Sequence, residues 1–457
     1  MVTETGTERM SRYPHSEWQA TRIVLSSLVS SPAAVVRFRL PVAASITETT
    51  LRYHRAERPP STARSEYMAN PFQDTAVVGI GRTEGPFTPN RTSLQLHAEV
   101  ARKAILDAGL GLADIDGVLT AGTDHPTYCE DVAHSAVFSE YMGLRPKFTF
   151  TVDIGTPVFA KAVEIAATAI ASGRCNTVLM ACAEPTVSSA SRSSAVEKMT
   201  AFGHPEFELP YGISLPAFYA LIARRHMHEY GTTSEQLARV AVTMRRHAAR
   251  NPWARFRDEI TVADVLASPM IADPLHRLDC SITTDGGGAF VMTSLERARD
   301  LPHVPVRVLG CGQGYSHEHL VAAPSFTRFA TDDSGRAAYS SAGIGPDEVD
   351  VALLYDNFTC AVILQLEQLG FCGDGEGGPF VEAGHIDIGG RIPVNPHGGL
   401  LSEAHPGRPG GMLHLIEAIY QLRHAAGARQ VDGARTALVH NVGGVMSNHA
   451  TAIFARD

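Results

Sequence analysis

The sequence predicts an α/β protein made of two homologous halves, and three observations predict it. From residue 68 onward, short apolar runs that end in glycine alternate with amphipathic stretches of helical period. A nine-residue passage, Ala108-Gly109-Leu110-Gly111-Leu112-Ala113-Asp114-Ile115-Asp116, returns at an offset of 234 as Ala342-Gly343-Ile344-Gly345-Pro346-Asp347-Glu348-Val349-Asp350, and each copy runs into an apolar strand. The composition, with 44% hydrophobic and 19% charged residues, is that of a globular chain able to bury a sizeable core.

The elements follow in order. Thr75 to Gly81 is an apolar run ending in glycines, which suits a buried strand. Ser93 to Ala108 places Leu94, Ala98, Ala101, Ala104, Ile105 and Ala108 at three- and four-residue intervals, which predicts an amphipathic helix closed by Gly109, and Ile115 to Ala121 supplies the next strand. The loop Thr151 to Pro157, with Gly155 and Thr156, opens an apolar helix over 158–171, followed by Gly173 and a strand over 177–181. In the second half, Val304 to Gly310 answers to Val77 to Gly81, and the glycine-rich loop Asn395 to Gly407 leads into a helix from about Gly411 to Leu422. The halves are placed at 68–300 and 301–457, each a sheet covered by helices, with a site expected where they meet. The start of each loop-borne helix offers free N–H groups and partial positive charge to an oxyanion or an activated nucleophile.

Residues 1–67 differ from the rest, with nine Arg, six Glu, no Lys and one Gly. Their local charge of +3 leaves −12 for the remainder of a chain whose total is −9. The apolar stretch Ile23 to Val29 is too short to span a bilayer and lies between Glu17 and Arg37, which fits neither a signal nor a transit peptide. This segment is a disordered extension or the product of a start chosen upstream of Met68. The second reading is preferred, because Met68-Ala69-Asn70-Pro71 leads directly into the first strand.

The acidic balance argues against nucleic acid as a partner. No apolar run reaches membrane-spanning length. The seven Cys, at 129, 175, 182, 280, 311, 360 and 372, contain no C-x-x-C pair, so free thiols in the cytoplasm are expected, with Cys175 and Cys182 as core thiols. His397, His414, His424 and His449 do not present ligands on one helix face, and no metal site is expected.

Four passages carry a family resemblance: Asp273-Pro274-Leu275-His276-Arg277-Leu278-Asp279-Cys280-Ser281 with Thr284-Asp285-Gly286; Tyr355-Asp356-Asn357-Phe358; Asn395 through Pro406; and His440-Asn441-Val442-Gly443-Gly444. Over residues 72–457 the chain resembles the thiolases, in particular the sterol-carrier or lipid-transfer type and their aldolase relatives. The resemblance implies a thiolase-like fold of two fused β-α-β-α-β-α-β-β halves, usually dimeric, acting on acyl-CoA thioesters.

The departures narrow the chemistry. The family's nucleophilic Cys falls at or beside Thr156, and no Cys lies between Cys129 and Cys175. The acid/base Cys before the last glycine loop is also missing, its neighbourhood here being His440, Asn441 and Val442. A Thr hydroxyl without an activating base is a far weaker nucleophile than a low-pKa thiolate. What survives is machinery for an enolate, whose negative charge on a thioester oxygen calls for a hydrogen-bond donor. His405 matches the family's G-H-P histidine, although Ala404 replaces the glycine, and would be that donor or a base. Tyr355, where thiolases carry Asn or His, would exchange a proton with a β-hydroxyl if its pKa were lowered. Tyr355 and His405 are therefore the expected catalytic residues. Gly155, Thr156, Asn395, His440, Asn441, Gly443 and Gly444 are the expected substrate-binding residues, with His440 and Asn441 shaping the pocket floor.

The reading is a retro-aldol lyase of β-hydroxyacyl-CoA thioesters of sterol or lipid type. It has no tightly bound cofactor, coenzyme A enters as part of the substrate, and the subgroup's habit implies a zinc-ribbon/OB-fold partner protein. The alternatives are an acyl-CoA acyltransferase of ordinary thiolase kind and a non-catalytic lipid-binding scaffold subunit.

Overall fold

The computed structural model describes residues 70–122, 134–189, 200 and 202–457. The expected extension 1–67, its Met68 boundary and Cys129 lie outside the described residues.

Strand β1 (Thr75–Arg82) is followed by helix α1 (Ser93–Asp107) and strand β2 (Gly117–Ala121). Thr92 and Gln95 close a reciprocal capping box at the start of α1. Next come α2 (His134–Met142), β3 (Phe148–Val152), α3 (Val158–Ala171) and β4 (Thr177–Glu184). A helical insertion holds α4 (Leu215–Tyr230), α5 (Ser234–Ala249) and α6 (Val262–Ala267), and a small hairpin pairs β5 (Met270–Ala272) with β6 (Leu275–His276). Then β7 (Gly286–Ser294) and α7 (Leu295–Ala298) precede β8 (Val306–Tyr315), α8 (Thr331–Ala342) and β9 (Val351–Leu354). The chain closes with α9 (Thr359–Gln368), α10 (Gly377–Glu382), α11 (Gly399–Ser402), α12 (Gly410–Leu422), β10 (Thr436–Gly443) and β11 (Asn448–Arg456).

Nine strands form one mixed sheet in the order β3-β2-β4-β7-β1-β8-β11-β10-β9. The same order appears twice: β2-β4-β7-β1 in one direction and β9-β10-β11-β8 in the other. A lone parallel bridge from Ala352 to Val394 sits where β3 pairs with β2 in the first half. Local chemistry repeats with it. Gly109 and Gly343 both take the left-handed conformation at a helix end, with φ of 68° and 74°. The Gly111 N–H donates to Asp114 Oδ2 at 2.9 Å and the Gly345 N–H to Glu348 Oε2 at 2.8 Å. Asp116 accepts from the N–H groups of Asn176 and Thr177, as Asp350 does from those of Arg435 and Thr436.

The expected pair of separate sheets is joined into one, because β1 and β8 meet through Ala76–Arg307 and Val77–Val306. Outer helix α1 lies so close to β1 that a Cβ at Gly81 would collide with Val100 O, and α8 lies as close to Gly312 of β8, against Ser334 O. Helices α3 and α12 pack against each other and against strands of both halves. One apolar cluster joins Phe159, Val163 and Ala166 of α3 to Leu415, Ile416 and Ile419 of α12 and to Met180, Phe290, Val439 and Phe454 of the sheet. Both buried helices start against the C-terminal end of β10, α3 at Gly443 and α12 at Asn441, and their amino ends place the site. No helix among the described residues is long and apolar enough to cross a membrane.

Candidate active site

Neither central helix has a side-chain cap. Pro157 precedes α3 and Pro409 precedes α12; Val158 and Gly410 donate back to the carbonyls of Gly155 and Gly407, and Lys161 and Met412 to those of Pro157 and Pro409, which leaves the N–H groups of Phe159 and Ala160 in α3 and of Gly411 in α12 without a backbone partner. Gly155, at φ 71°, turns the chain into α3 and lies against β10, where its Cβ would stand 3.6 Å from Gly443 Cα. A Cβ on Gly443 would stand 2.7 Å from Pro157 Cδ, so β10 approaches the α3 entrance with no room for a side chain. Gly444, at φ 59°, turns the chain out of β10.

Tyr355 follows β9 directly. Its phenol oxygen is hydrogen-bonded to Thr156 Oγ1 at 3.2 Å and to His405 Nε2 at 3.0 Å. His405 lies in the loop between α11 and α12, its ring edge-on to Tyr355, and its Nδ1 pairs with Ser281 Oγ at 2.7 Å. The structure thus brings Thr156, Tyr355 and His405 into one hydrogen-bonded chain from residues 199 and 50 positions apart. Burial pushes His405 down to about 4, opposed by the nearby Asp356 carboxylate, so the imidazole is neutral at neutral pH. The condition set for Tyr355 is reversed. Burial raises the phenol pKa well above its usual value, outweighing the Thr156 hydrogen bond, because nothing cationic faces the oxygen. Tyr355 is a neutral hydroxyl and not a ready phenolate.

The Asp356 carboxylate accepts the N–H groups of Leu400 (2.8 Å) and Leu401 (3.2 Å) at the start of α11 and faces His414 Nε2 at 3.3 Å. Glu403 pairs with Arg82 at 2.5 Å and faces His397 Nε2 at 3.6 Å. Burial, His414 and the Arg429 and Arg82 guanidinium groups hold His397 far below its usual pKa, so Arg82 alone balances Glu403 in that contact. These groups fix the segment that carries His405. Asp285, in the Thr284-Asp285-Gly286 passage, clamps two further loops. Burial would raise its pKa, but hydrogen bonds from Ser188, Thr88 and Val187 outweigh that and hold it low.

The remaining expected residues separate. Asn395, at φ 47°, exchanges both amide hydrogen bonds with the Leu354 backbone at 2.8 and 2.7 Å, which positions Tyr355 one residue on. His440 lies on the face of β10 away from the central helices, with Nδ1 on Thr451 Oγ1 at 2.8 Å and Nε2 on His449 Nδ1 at 3.2 Å. Asn441 lies on the opposite face, fully buried against the start of α12. Residue type alone does not single out Ser281, Asp356 or His414. Ser281 and Asp356 do stand inside two of the passages that carry the family resemblance, and that is the available signal.

No cysteine here resembles an activated nucleophile among the described residues. Burial pushes Cys175 up to about 11, Cys280 and Cys372 up to about 12, and Cys311 and Cys360 higher still, while Cys182 is fully buried in β4. Among the described residues no group of three or more His, Cys, Asp or Glu is placed to hold a metal ion.

Residues 74–296 match the family described as "Thiolase, N-terminal domain" and residues 312–456 that described as "Thiolase C-terminal domain-like". The chain is 38% identical over 360 residues to a steroid side-chain-cleaving aldolase of Thermomonospora curvata, covering 76% of this chain and 90% of that protein. It is 35% identical over 396 residues to an acetyl-CoA acetyltransferase of Methanothermobacter thermautotrophicus, covering 84% and 100%. Among solved structures, the Ltp2-ChsH2(DUF35) aldolase superposes with a TM-score of 0.74 at 36% identity, covering 84% of this chain and 98% of that one. The chain is an enzyme of the thiolase superfamily and belongs to its sterol-carrier-type, aldolase-like branch.

Proposed function

We propose that this enzyme cleaves a β-hydroxyacyl-CoA by a retro-aldol reaction, releasing a shorter acyl-CoA and a carbonyl compound. The observation that carries the reading is the chain Thr156–Tyr355–His405–Ser281, a proton path with no thiol where the family keeps one. His405 holds its proton on Nδ1, donated to Ser281 Oγ, which leaves Nε2 free to accept from Tyr355. As the substrate β-hydroxyl gives its proton to Tyr355 Oη, the tyrosine proton passes to His405 Nε2. The O–H pair becomes the new C=O bond, the Cα–Cβ bond breaks, and its electrons form the thioester enolate. Reprotonation at Cα through the same path returns the site to its starting state. The amino ends of α3 and α12, which carry no side-chain cap, supply positive potential for the enolate oxygen. A neutral Tyr355 serves this relay because it both receives and donates a proton and never has to hold a full charge.

The substrate class follows the aldolase relative's name: an acyl chain attached to a steroid or similarly apolar body. The Ltp2-ChsH2(DUF35) aldolase is named for two components, which supports a partner subunit here; we propose that this partner is of the zinc-ribbon/OB-fold type and that the chain works in the cytoplasm as a homodimer. For the dimer, β3 is an edge strand whose Phe150 is 54% exposed, an arrangement that another strand would cover.

The test is incubation of the purified enzyme, alone and with its partner, with β-hydroxyacyl-CoA thioesters. Carbonyl product with an unmodified intact mass supports the lyase. The second reading, acyl transfer, is favoured by the acetyltransferase relative and by Thr156 at the nucleophile's position. It requires a Thr156 acyl-enzyme, and that mass adduct without carbonyl release would replace the proposal.

A further inference from the structure

Asn441 is fully buried, and neither its amide oxygen nor its amide nitrogen has a hydrogen-bond partner. A buried amide left unmade is among the least tolerated features of a folded chain. Its position makes the exception meaningful. Val439, two residues earlier on β10, belongs to the central apolar cluster, so Asn441 projects toward α3 and α12, while His440 projects the other way. A Cβ on Gly411 would stand 2.9 Å from Asn441 Cγ and Oδ1 and 3.0 Å from Nδ2. A Cβ on the preceding Gly410 would stand 3.1 Å from His405 Cδ2. Asn441 and His405 therefore flank the same uncapped helix start, where two glycines leave space that any other residue would fill. Two residues on, Gly443 lies against Gly155 and Pro157 at the entrance to α3, beside Thr156.

We infer that Asn441 is a catalytic residue that donates its side-chain N–H to the thioester oxygen and stabilises the enolate formed when the carbon–carbon bond breaks. This rests on the retro-aldol reading and assigns one of its donors. The amide suits the role because it does not titrate. It cannot move the proton that the Tyr355–His405 relay handles, so donor and base stay separate. No covalent bond to Asn441 forms or breaks, since its N–H serves the carbonyl oxygen before cleavage and the enolate oxygen after. The site is specific for an acyl group with one accepting oxygen at this depth, as a thioester or ketone presents.

The experiment uses the full-length chain as wild type, Asn441→Ala, the isosteric Asn441→Asp and the apolar Asn441→Leu. Binding is measured by calorimetry with two CoA analogues in which carbon replaces the thioester sulfur, one a ketone and the other a carboxylate mimicking the enolate. Cleavage of β-hydroxyacyl-CoA is followed separately. Wild type is expected to prefer the carboxylate, and Asn441→Ala to lose that preference and about 10²- to 10³-fold in kcat, as for removal of one oxyanion donor. Asn441→Leu is expected to melt at or above the wild-type temperature, because it removes an unpaired buried group, whereas a merely structural Asn441 would give a lower melting point. The inference is overturned if wild type shows no preference for the carboxylate, if Asn441→Ala keeps that preference, or if every variant that melts like wild type also cleaves within threefold of it. If the preference is present and Asn441-dependent but wild type releases no carbonyl compound, the assignment of Asn441 stands and the retro-aldol reading falls.

Discussion

Ser281 Oγ stands 2.7 Å from His405 Nδ1, on the opposite side of the ring from Tyr355, although the two residues are 124 positions apart. In the proposed relay Ser281 accepts the Nδ1 proton and so directs the Nε2 lone pair at the phenol. Ser281→Ala removes one neutral hydrogen bond, worth about 1 kcal/mol, and frees the ring to change tautomer. The expected outcome is a fall in kcat of roughly tenfold with KM nearly unchanged, since no substrate contact is lost. A Ser281→Ala enzyme with raised KM and full kcat would place Ser281 against the substrate instead.

In the proposed relay Tyr355 links His405 to the substrate, and His405 is the terminus. Tyr355→Phe keeps the ring in its cluster but removes the hydroxyl that bonds both Thr156 and His405. Cleavage is expected to drop about 10²- to 10⁴-fold, the usual contribution of a general acid–base group. His405→Ala is expected to cost as much, and the double variant little more, because the two act as one unit. Measuring kcat for the single and double variants decides it. Unchanged activity in both would make the chain a scaffold whose chemistry lies in a partner.

The pH behaviour follows from burial. His405 titrates at about 4 in the folded enzyme, and the Tyr355 phenol is pushed above its usual value. The profile of kcat/KM is therefore expected to be flat between about pH 6 and 9, without the limb near 6.5 that an exposed imidazole would give. Stability behaves differently. His247, His405 and His449 are buried and lowered to about 4, while in the unfolded chain they bind protons near 6.5. Between those values the unfolded state holds more protons, so stability falls as pH drops from 6.5 toward 4, by up to about 1.4 kcal/mol per pH unit for each group. Thermal melts at pH 7, 6, 5 and 4.5 check this. A melting temperature constant down to pH 5 would show that these rings are solvated or paired with carboxylates.

Much of the architecture was legible in sequence because its causes are local. Helix α1, the left-handed Gly109 and strand β2 are written in one continuous passage, and the second copy at Gly343 doubles the signal. The hydrogen-bonded chain was half legible. Motif position names Thr156, Tyr355 and His405, but their hydrogen bonds join segments separated by up to 199 residues, which periodicity does not encode. The direction of the Tyr355 pKa could not be read, since it depends on how deeply the ring is buried and on the absence of a cation facing it. His440 and Asn441 look equivalent as neighbours in sequence. Only the pairing of β10 with β9 and β11 decides which of the two faces α3 and α12. Asn395 looks like a pocket residue because its type is polar, whereas its left-handed backbone turns the amide onto Leu354.

Gly399 provides a test of the segment that carries His405. It adopts φ 62° at the start of α11, and a Cβ there would collide with the Asp356 carboxylate, lying 2.5 Å from its Cγ. Asp356 cannot move freely, because it holds the Leu400 and Leu401 N–H groups and faces His414. Gly399→Ala thus meets two costs, a left-handed backbone of about 1–2 kcal/mol and overpacking of about 1–3 kcal/mol. Gly343→Ala is the matched control: its φ is 74° and nothing lies within 4 Å of the added Cβ, so only the first cost applies. Chemical denaturation should show Gly399→Ala less stable than Gly343→Ala by about 1–3 kcal/mol. Only the former should lose activity, because displacement of Asp356 shifts the loop that aims His405 at Tyr355. Equal stability and activity in the two variants would mean that Asp356 yields without consequence and that the segment from Gly398 to Pro406 is held by other contacts.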